Sequence, residues 1–120
     1  MISPIGSALS GLNASSRRIA VAADNIANQF SNNYTPRQVD QVSLSNGGVL
    51  AREKAVTPDK VQIFNPVDPN ADASGLVSMP NVDVANELVS MSIASYNFKA
   101  NLKSIKVSDE MQKSLLDILS

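Results

Sequence analysis

The sequence predicts a mainly α-helical protein. A long N-terminal helix and a long C-terminal helix form a coiled-coil-like pair, with a short β-strand insert between them. Three observations carry this expectation. Apolar residues recur in alternating steps of four and three at both ends of the chain. Residues 81–120 contain neither Gly nor Pro. Between the two helical patterns, residues 37–64 switch to short alternating runs punctuated by turn residues. The chain divides accordingly into an N-terminal helix (1–30), a small β segment (31–64), a linker (65–80) and a C-terminal helix (81–120).

The first helix is expected over residues 4–28. Ser3 is the expected N-cap, and Pro4 suits the first helical position, where its missing N–H costs nothing. The apolar track is Ile5, Leu9, Leu12, Ile19, Ala23 and Ile26, with Ser16 as its polar member. Gly6 and Gly11 each weaken the helix by up to ~1 kcal/mol relative to Ala, so its stability depends on a partner. The outer face is mostly Ser, Asn and Ala, and such a neutral, small-residue surface suits close packing against further protein. Asn25 and Asn28 are expected to end this helix, because Asn competes for backbone hydrogen bonds and favours turns. Pro36 confirms the break.

Three short strands are expected next. Val42 and Leu44 alternate with polar neighbours, Asn46-Gly47-Gly48 signals a tight turn, and residues 49–56 return as a second strand. After Pro58, Val61 and Ile63 alternate in a third. Three strands with little aromatic content make a weak independent unit that leans on a helix or a neighbour. Residues 65–75, with two prolines, read as an irregular polar connector. Pro80-Asn81-Val82-Asp83 then opens the second helix, with Asn81 as the expected N-cap and Asp83 and Glu87 near the positive end of its dipole.

On the second helix the track is Val84, Leu88, Met91, Phe98, Leu102, Ile105, Leu116 and Leu119, with polar Ser95, Asp109 and Gln112 in the same series. A spacing of about 3.5 residues puts it on one helix face. The helix spans roughly 57 Å at 1.5 Å per residue, too long for the core of so small a domain to cover. Its first candidate partner is the N-terminal helix, which is shorter by about a dozen residues on the usual 3.6-residue turn. Part of the second seam is therefore left without intramolecular cover, and an uncovered apolar seam marks an interface.

Composition narrows the function. The 120 residues include no Cys and no His. That removes disulfides, thiolate metal sites, the usual general base and the commonest metal ligand. A net charge of −1 argues against nucleic-acid binding. Lys99, Lys103 and Lys106, one turn apart, read as a solvated helix face. Asp83 and Glu87 are explained by the helix start rather than by acid–base work. Asp109 and Glu110 point to different faces and make a poor metal site. Gly47-Gly48 lacks the Lys and the following helix of a phosphate loop. No catalytic residue, cofactor, metal or small-molecule substrate is expected. The N-terminus lacks the basic and apolar regions of a cleaved signal peptide, and no apolar run approaches the length of a membrane span.

Two stretches carry more than pattern. Residues 7–28 form an Ala/Ser-rich amphipathic segment ending in Asn25-Ile26-Ala27-Asn28, which resembles the N-terminal signature of the bacterial flagellar axial proteins of rod and hook. Residues 66–91 run through Met79-Pro80-Asn81-Val82-Asp83-Val84 to Glu87-Leu88-Val89-Ser90-Met91. They look like the C-terminal region of the proximal rod members of that family. The following Ala94-Ser95-Tyr96-Asn97-Phe98-Lys99-Ala100-Asn101 is similar to the family's Ala-Ser-aromatic-Ala-Asn stretch.

The resemblance implies a structural subunit of the flagellar basal-body rod. Such a subunit is exported unfolded through the flagellar type III apparatus and polymerises with itself and other rod subunits through paired terminal helices, in the periplasmic rod. The interface residues it implicates are Ile5, Leu9, Leu12, Ile19 and Ile26 with Val84, Leu88, Met91, Phe98, Leu102, Ile105, Leu116 and Leu119. The motif positions are Asn25, Asn28, Pro80, Asn81 and Asp83. The alternative is a non-flagellar helical adaptor, a stable coiled-coil hairpin that binds a protein partner.

Overall fold

The computed structural model describes residues 4–119. Six elements follow in order: α1 (Pro4–Ala27), β1 (Arg37–Ser43), β2 (Val49–Ala55), β3 (Lys60–Phe64), β4 (Leu76–Pro80) and α2 (Val84–Leu119). The helices run antiparallel, and the molecule is a rod of 79 × 23 × 16 Å. The expected architecture of two long terminal helices flanking a small strand insert is the one observed. The N-cap expected at Ser3 lies outside the described residues.

The strands form two separate antiparallel hairpins, β1–β2 and β3–β4. In the first, Arg37 faces Ala55 and Ser43 faces Val49. The turn falls at the Asn-Gly-Gly signal, with Gly47 at φ 81° and the Leu44 amide donating to the Gly48 carbonyl at 2.8 Å. This hairpin lies against α1. The second hairpin packs on neither helix among the described residues, and Ile63 and Phe64 are 49% and 69% exposed on it.

Two local expectations are corrected. The linker expected through residue 80 contains a strand. Leu76 pairs with Phe64 and Pro80 with Lys60, and Val77 is buried. Leu76 and Val77 are adjacent apolar residues, so the alternation that announces a strand is missing, and Pro80 sits at the strand's end, where proline is tolerated. The N-cap of α2 is Asp83 rather than Asn81. The Asp83 carboxylate accepts from the amides of Ala85 at 3.0 Å and Asn86 at 3.2 Å. A charged acceptor also suits the positive end of the helix dipole. Asn81 instead ties the chain to the loop before β3, its side-chain amide donating to the Pro58 carbonyl at 2.9 Å.

The core is thin and made of small side chains. On α1 the buried residues are Ala8, Ala14, Ser15, Val21, Ala22 and Asn25, and on α2 only Ala94. Small residues let two helices approach closely, which explains their use here. The larger apolar side chains are left to the flanks.

Candidate assembly surface

Helix α1 carries three stripes at seven-residue intervals, each turned about 100° from the last. The first, Ser10, Arg17 and Asp24, holds the β1–β2 hairpin. Ser10 Oγ accepts from the Val49 amide at 3.0 Å, Arg17 pairs with Glu53, and Asp24 pairs with Arg37 at 2.9 Å. The second, Gly11, Arg18 and Asn25, faces α2. A Cβ on Gly11 would fall 2.6 Å from Asn101 Nδ2, so the missing side chain is a matter of close approach as well as of helix propensity. Arg18 Nε donates to Ser90 Oγ at 2.8 Å, and Asn25 Nδ2 donates to Glu87 Oε1 at 2.8 Å.

The third stripe is Ile5, Leu12, Ile19 and Ile26, with Leu9 beside it. These residues are turned away from the hairpin, on the flank of the α1–α2 contact. The four stripe residues are half-buried, and Leu9 is 52% exposed. The track on α2 behaves alike. Val84, Met91, Phe98 and Ile105 are half-buried, while Leu88 and Leu102 are exposed by 53% each. The closest part of the helix contact is thus made by small and polar residues, and the apolar tracks straddle it. At one end they line an open groove, where Ile5 meets Leu102 and Ile105. Leu116 and Leu119 lie beyond the reach of the described part of α1, and every residue of α2 from Asp109 to Leu119 is exposed.

Asn25 joins the elements at the opposite end. It has no exposed surface, and its amide uses its full hydrogen-bonding capacity. Nδ2 donates to the Arg37 carbonyl at 2.6 Å as well as to Glu87. Oδ1 accepts from Tyr34 Oη at 2.8 Å and from the Arg37 amide at 3.0 Å. One side chain in α1 therefore fixes the loop after α1, the start of β1 and the first turns of α2. Its role differs from the expected helix-ending one. Asn28 does serve the helix end, its backbone and side-chain amides both donating to the Asp24 carbonyl, at 3.0 and 2.9 Å.

Arg37 extends this junction outward, pairing with Glu53 at 2.6 Å as well as with Asp24. The neighbouring Tyr34 hydroxyl and, after it, the charge of Glu53 outweigh burial and raise its already high pKa, so it stays cationic. Tyr34, Arg37, Glu53 and Glu87 were not legible as one cluster, because they come from four segments. The available signal was Asn25 itself, a poor helix former placed on the stripe of Gly11 and Arg18. Among the described residues no group of three or more acidic side chains is placed to hold a metal ion, and no helix is long and apolar enough to cross a membrane.

An extended helix pair with an open apolar flank has the character of an interaction surface. Comparison with known proteins agrees in family. A family described as flagella basal body rod protein matches residues 5–35. A second, the C-terminal region of flagellar basal body rod FlgEFG proteins, matches residues 73–118. The chain belongs to the flagellar basal-body rod proteins and is a structural subunit of that class.

Relatives that match most of the chain include FlgC proteins. The flagellar basal-body rod protein FlgC of Escherichia coli O6:H1 is 35% identical, over 91% of this chain and 90% of the relative. FlgC of Agrobacterium fabrum is 31% identical over 92% and 88%, and FlgC of Aquifex aeolicus 32% over 85% and 84%. The chain is thus a rod protein of the FlgC type.

Proposed function

We propose that the chain polymerises through its paired terminal helices, with itself and with other rod subunits, in the periplasmic part of the flagellar basal body. It leaves the cytoplasm through the flagellar export apparatus and works without catalysis, cofactor or nucleic acid. Ile5, Leu9, Leu12, Ile19 and Ile26 of α1, with Val84, Leu88, Met91, Phe98, Leu102, Ile105, Leu116 and Leu119 of α2, form the surface that neighbours cover. Residues 1–30 and 81–120 are the axial segments, residues 31–64 stand outside them, and the 65–80 connection leads back into the second helix.

The observation that carries this reading is the apolar flank, open along the helix pair and continued by the uncovered end of α2. Large apolar side chains half-exposed in a continuous line are characteristic of interaction surfaces rather than of a closed monomer. A rod of small buried side chains has little core of its own, so folding coupled to assembly suits export in an unfolded state.

Isolation of intact hook–basal bodies from a strain with the tagged chain tests the reading. Mass spectrometry is expected to recover it in stoichiometric amount with the other rod proteins. Its retention in the soluble fraction, with those proteins recovered, would overturn the assignment and favour an adaptor.

A further inference from the structure

The first hairpin has one edge that is begun as a ladder and left unfinished. The Val56 amide donates to the Pro36 carbonyl at 2.9 Å and the Leu44 amide to the Gly48 carbonyl at 2.8 Å. Bonded and non-bonded pairs alternate in an antiparallel ladder. With Arg37 opposite Ala55, the even-numbered residues of β1 bond to β2, and Arg37, Val39, Gln41 and Ser43 turn their amides and carbonyls outward. At Arg37 both groups are taken by one side chain. Asn25 Oδ1 accepts from the amide at 3.0 Å, and Nδ2 donates to the carbonyl at 2.6 Å. The Asn25 carboxamide stands where a third strand would stand. Val39, Gln41 and Ser43 have no such partner among the described residues.

This edge borders a groove with α1 as its floor and α2 as its far wall. Two cavities of about 490 Å³ each lie along it, one beside Val39 and one beside Gln41. No Cα of β1 comes within 8 Å of one in α2, so the second helix leaves the edge uncovered. Beside Gln41 the floor is small, with Ala8 and Gly11. Beside Val39 it carries half-buried Arg18. Arg18 Nε donates to the neutral Ser90, and no carboxylate pairs with this guanidinium among the described residues. The acidic side chains of the same cavity are engaged elsewhere. Glu87 accepts from Asn25, and Asp40 lies 4.0 Å from Lys54.

We propose that the groove takes an extended segment of a partner protein, which adds to β1 as a third strand and brings a carboxylate to Arg18. An exposed row of backbone donors and acceptors is a template for another strand. Asn25 closes the ladder at Arg37, so the added strand covers Val39 to Ser43. The charge follows from the other edge of the hairpin. Arg17 holds Glu53 of β2, and Arg18 is the next residue, turned about 100° around α1 toward the groove. The site is separate from the apolar flank and does not rest on the rod reading.

Titration of the full-length chain with an acetylated, amidated peptide of residues 49–55 tests the site, read by NMR. This peptide carries the alternation that already pairs with β1, with Glu53 on the side facing α1. Saturable shifts are expected at the amides of Val39, Gln41 and Ser43. Gln41→Pro removes an outward N–H and spares the β1–β2 ladder, as an edge strand tolerates. It is expected to weaken binding at least about tenfold, while Gln41→Ala, which keeps the amide, stays within about twofold. Arg18→Gln is expected to weaken binding about fivefold, and to add nothing when the peptide's own glutamate is changed to glutamine. N-methylation of alternate peptide amides makes the same cut from the ligand's side, whatever Gln41→Pro does to the fold. One of the two alternating sets is expected to abolish binding.

Absence of saturable shifts up to about 1 mM peptide would overturn the proposal. So would binding that Gln41→Pro and both N-methylated sets leave unchanged. Loss of the β1–β2 cross-strand contacts on titration would show the peptide replacing β2, and would overturn it too. Indifference to Arg18→Gln would remove the carboxylate from the partner.

Discussion

The two ends of the helix pair are built on different principles. At the closed end, where α1 finishes and α2 begins, contacts are polar, directional and saturated. Asn25 spends four hydrogen bonds on three segments, and Arg37 bridges two carboxylates. At the open end, where α1 begins and α2 runs on alone, the surfaces are apolar and unsatisfied, and Leu102, Leu116 and Leu119 face solvent. Hydrogen bonds fix geometry within one chain, since an unpaired buried partner is costly. Apolar surface is non-directional and accepts cover from any neighbour of the right shape. The difference teaches that one end sets the subunit's shape, while the other leaves open the apolar surface on which the proposed assembly rests.

The sharpest way to break the comparison is at Asn25. Asn25→Asp removes both donors and sets a carboxylate against Glu87 in a site with no solvent exposure. A loss of about 3 kcal/mol or more is expected at neutral pH, read as a fall in melting temperature by circular dichroism. The variant has a pH signature. Two facing carboxylates raise the pKa of one of them, so the penalty is present above that raised value and shrinks as pH falls through it. Asn25→Ala, without the added charge, shows no such recovery. A stable Asn25→Asp protein would remove the closed end from the argument.

A smaller effect is expected at Glu53, which holds Arg17 and Arg37 at the edge of the same junction. Its side chain is 21% exposed and those of its partners 61% and 37%, so solvent screens both pairs. Glu53→Gln is expected to cost about 1 kcal/mol, and added salt to narrow its difference from the unaltered chain. Loosening is confined to the β1–β2 hairpin, which amide hydrogen exchange on residues 37–55 resolves from the helices.

Much of this division was legible in the sequence, and the illegible parts share a cause. The helix bounds came from local signals, the four–three track, Pro4 and the run without Gly or Pro, and the first hairpin from Asn46-Gly47-Gly48. Asn25 was read only by its local tendency to end a helix. Its partners lie 9 to 62 positions away, and no pattern of neighbours announces such a contact. Strand β4 was missed for the same reason, because Leu76 and Val77 are made into a strand by pairing with Phe64 and Ile63. The apolar tracks were visible at once. That they flank the helix contact instead of filling it depends on the small residues at Ala8, Gly11, Ser15 and Ala22, whose packing role needs the second helix in place.

Gly11 separates close approach from helix propensity at the middle of the pair. Gly11→Ala alone sets a methyl group against the Asn101 side chain, displacing it from the Asn97 carbonyl it now reaches at 2.9 Å. The gain in propensity, ~1 kcal/mol, is expected to be offset. In an Asn101→Ala background the same substitution is expected to yield that gain in full, and a double-mutant cycle on thermal melts reads the difference.

The smallest effect on the subunit is expected where the effect on assembly is complete. Leu102 is half in solvent, so Leu102→Asp places its charge in water in the free chain and is expected to change stability by no more than about 0.5 kcal/mol. Under the proposed assembly the same carboxylate would be buried in a helix seam without a partner, which costs far more than one contact contributes. The variant is expected to melt like the unaltered chain, yet to be absent from isolated basal bodies and to leave cells non-motile. A motile strain carrying Leu102→Asp would show that the open flank is not covered at this position. A protein that unfolds would place Leu102 in the subunit's own core and erase the distinction between the two ends.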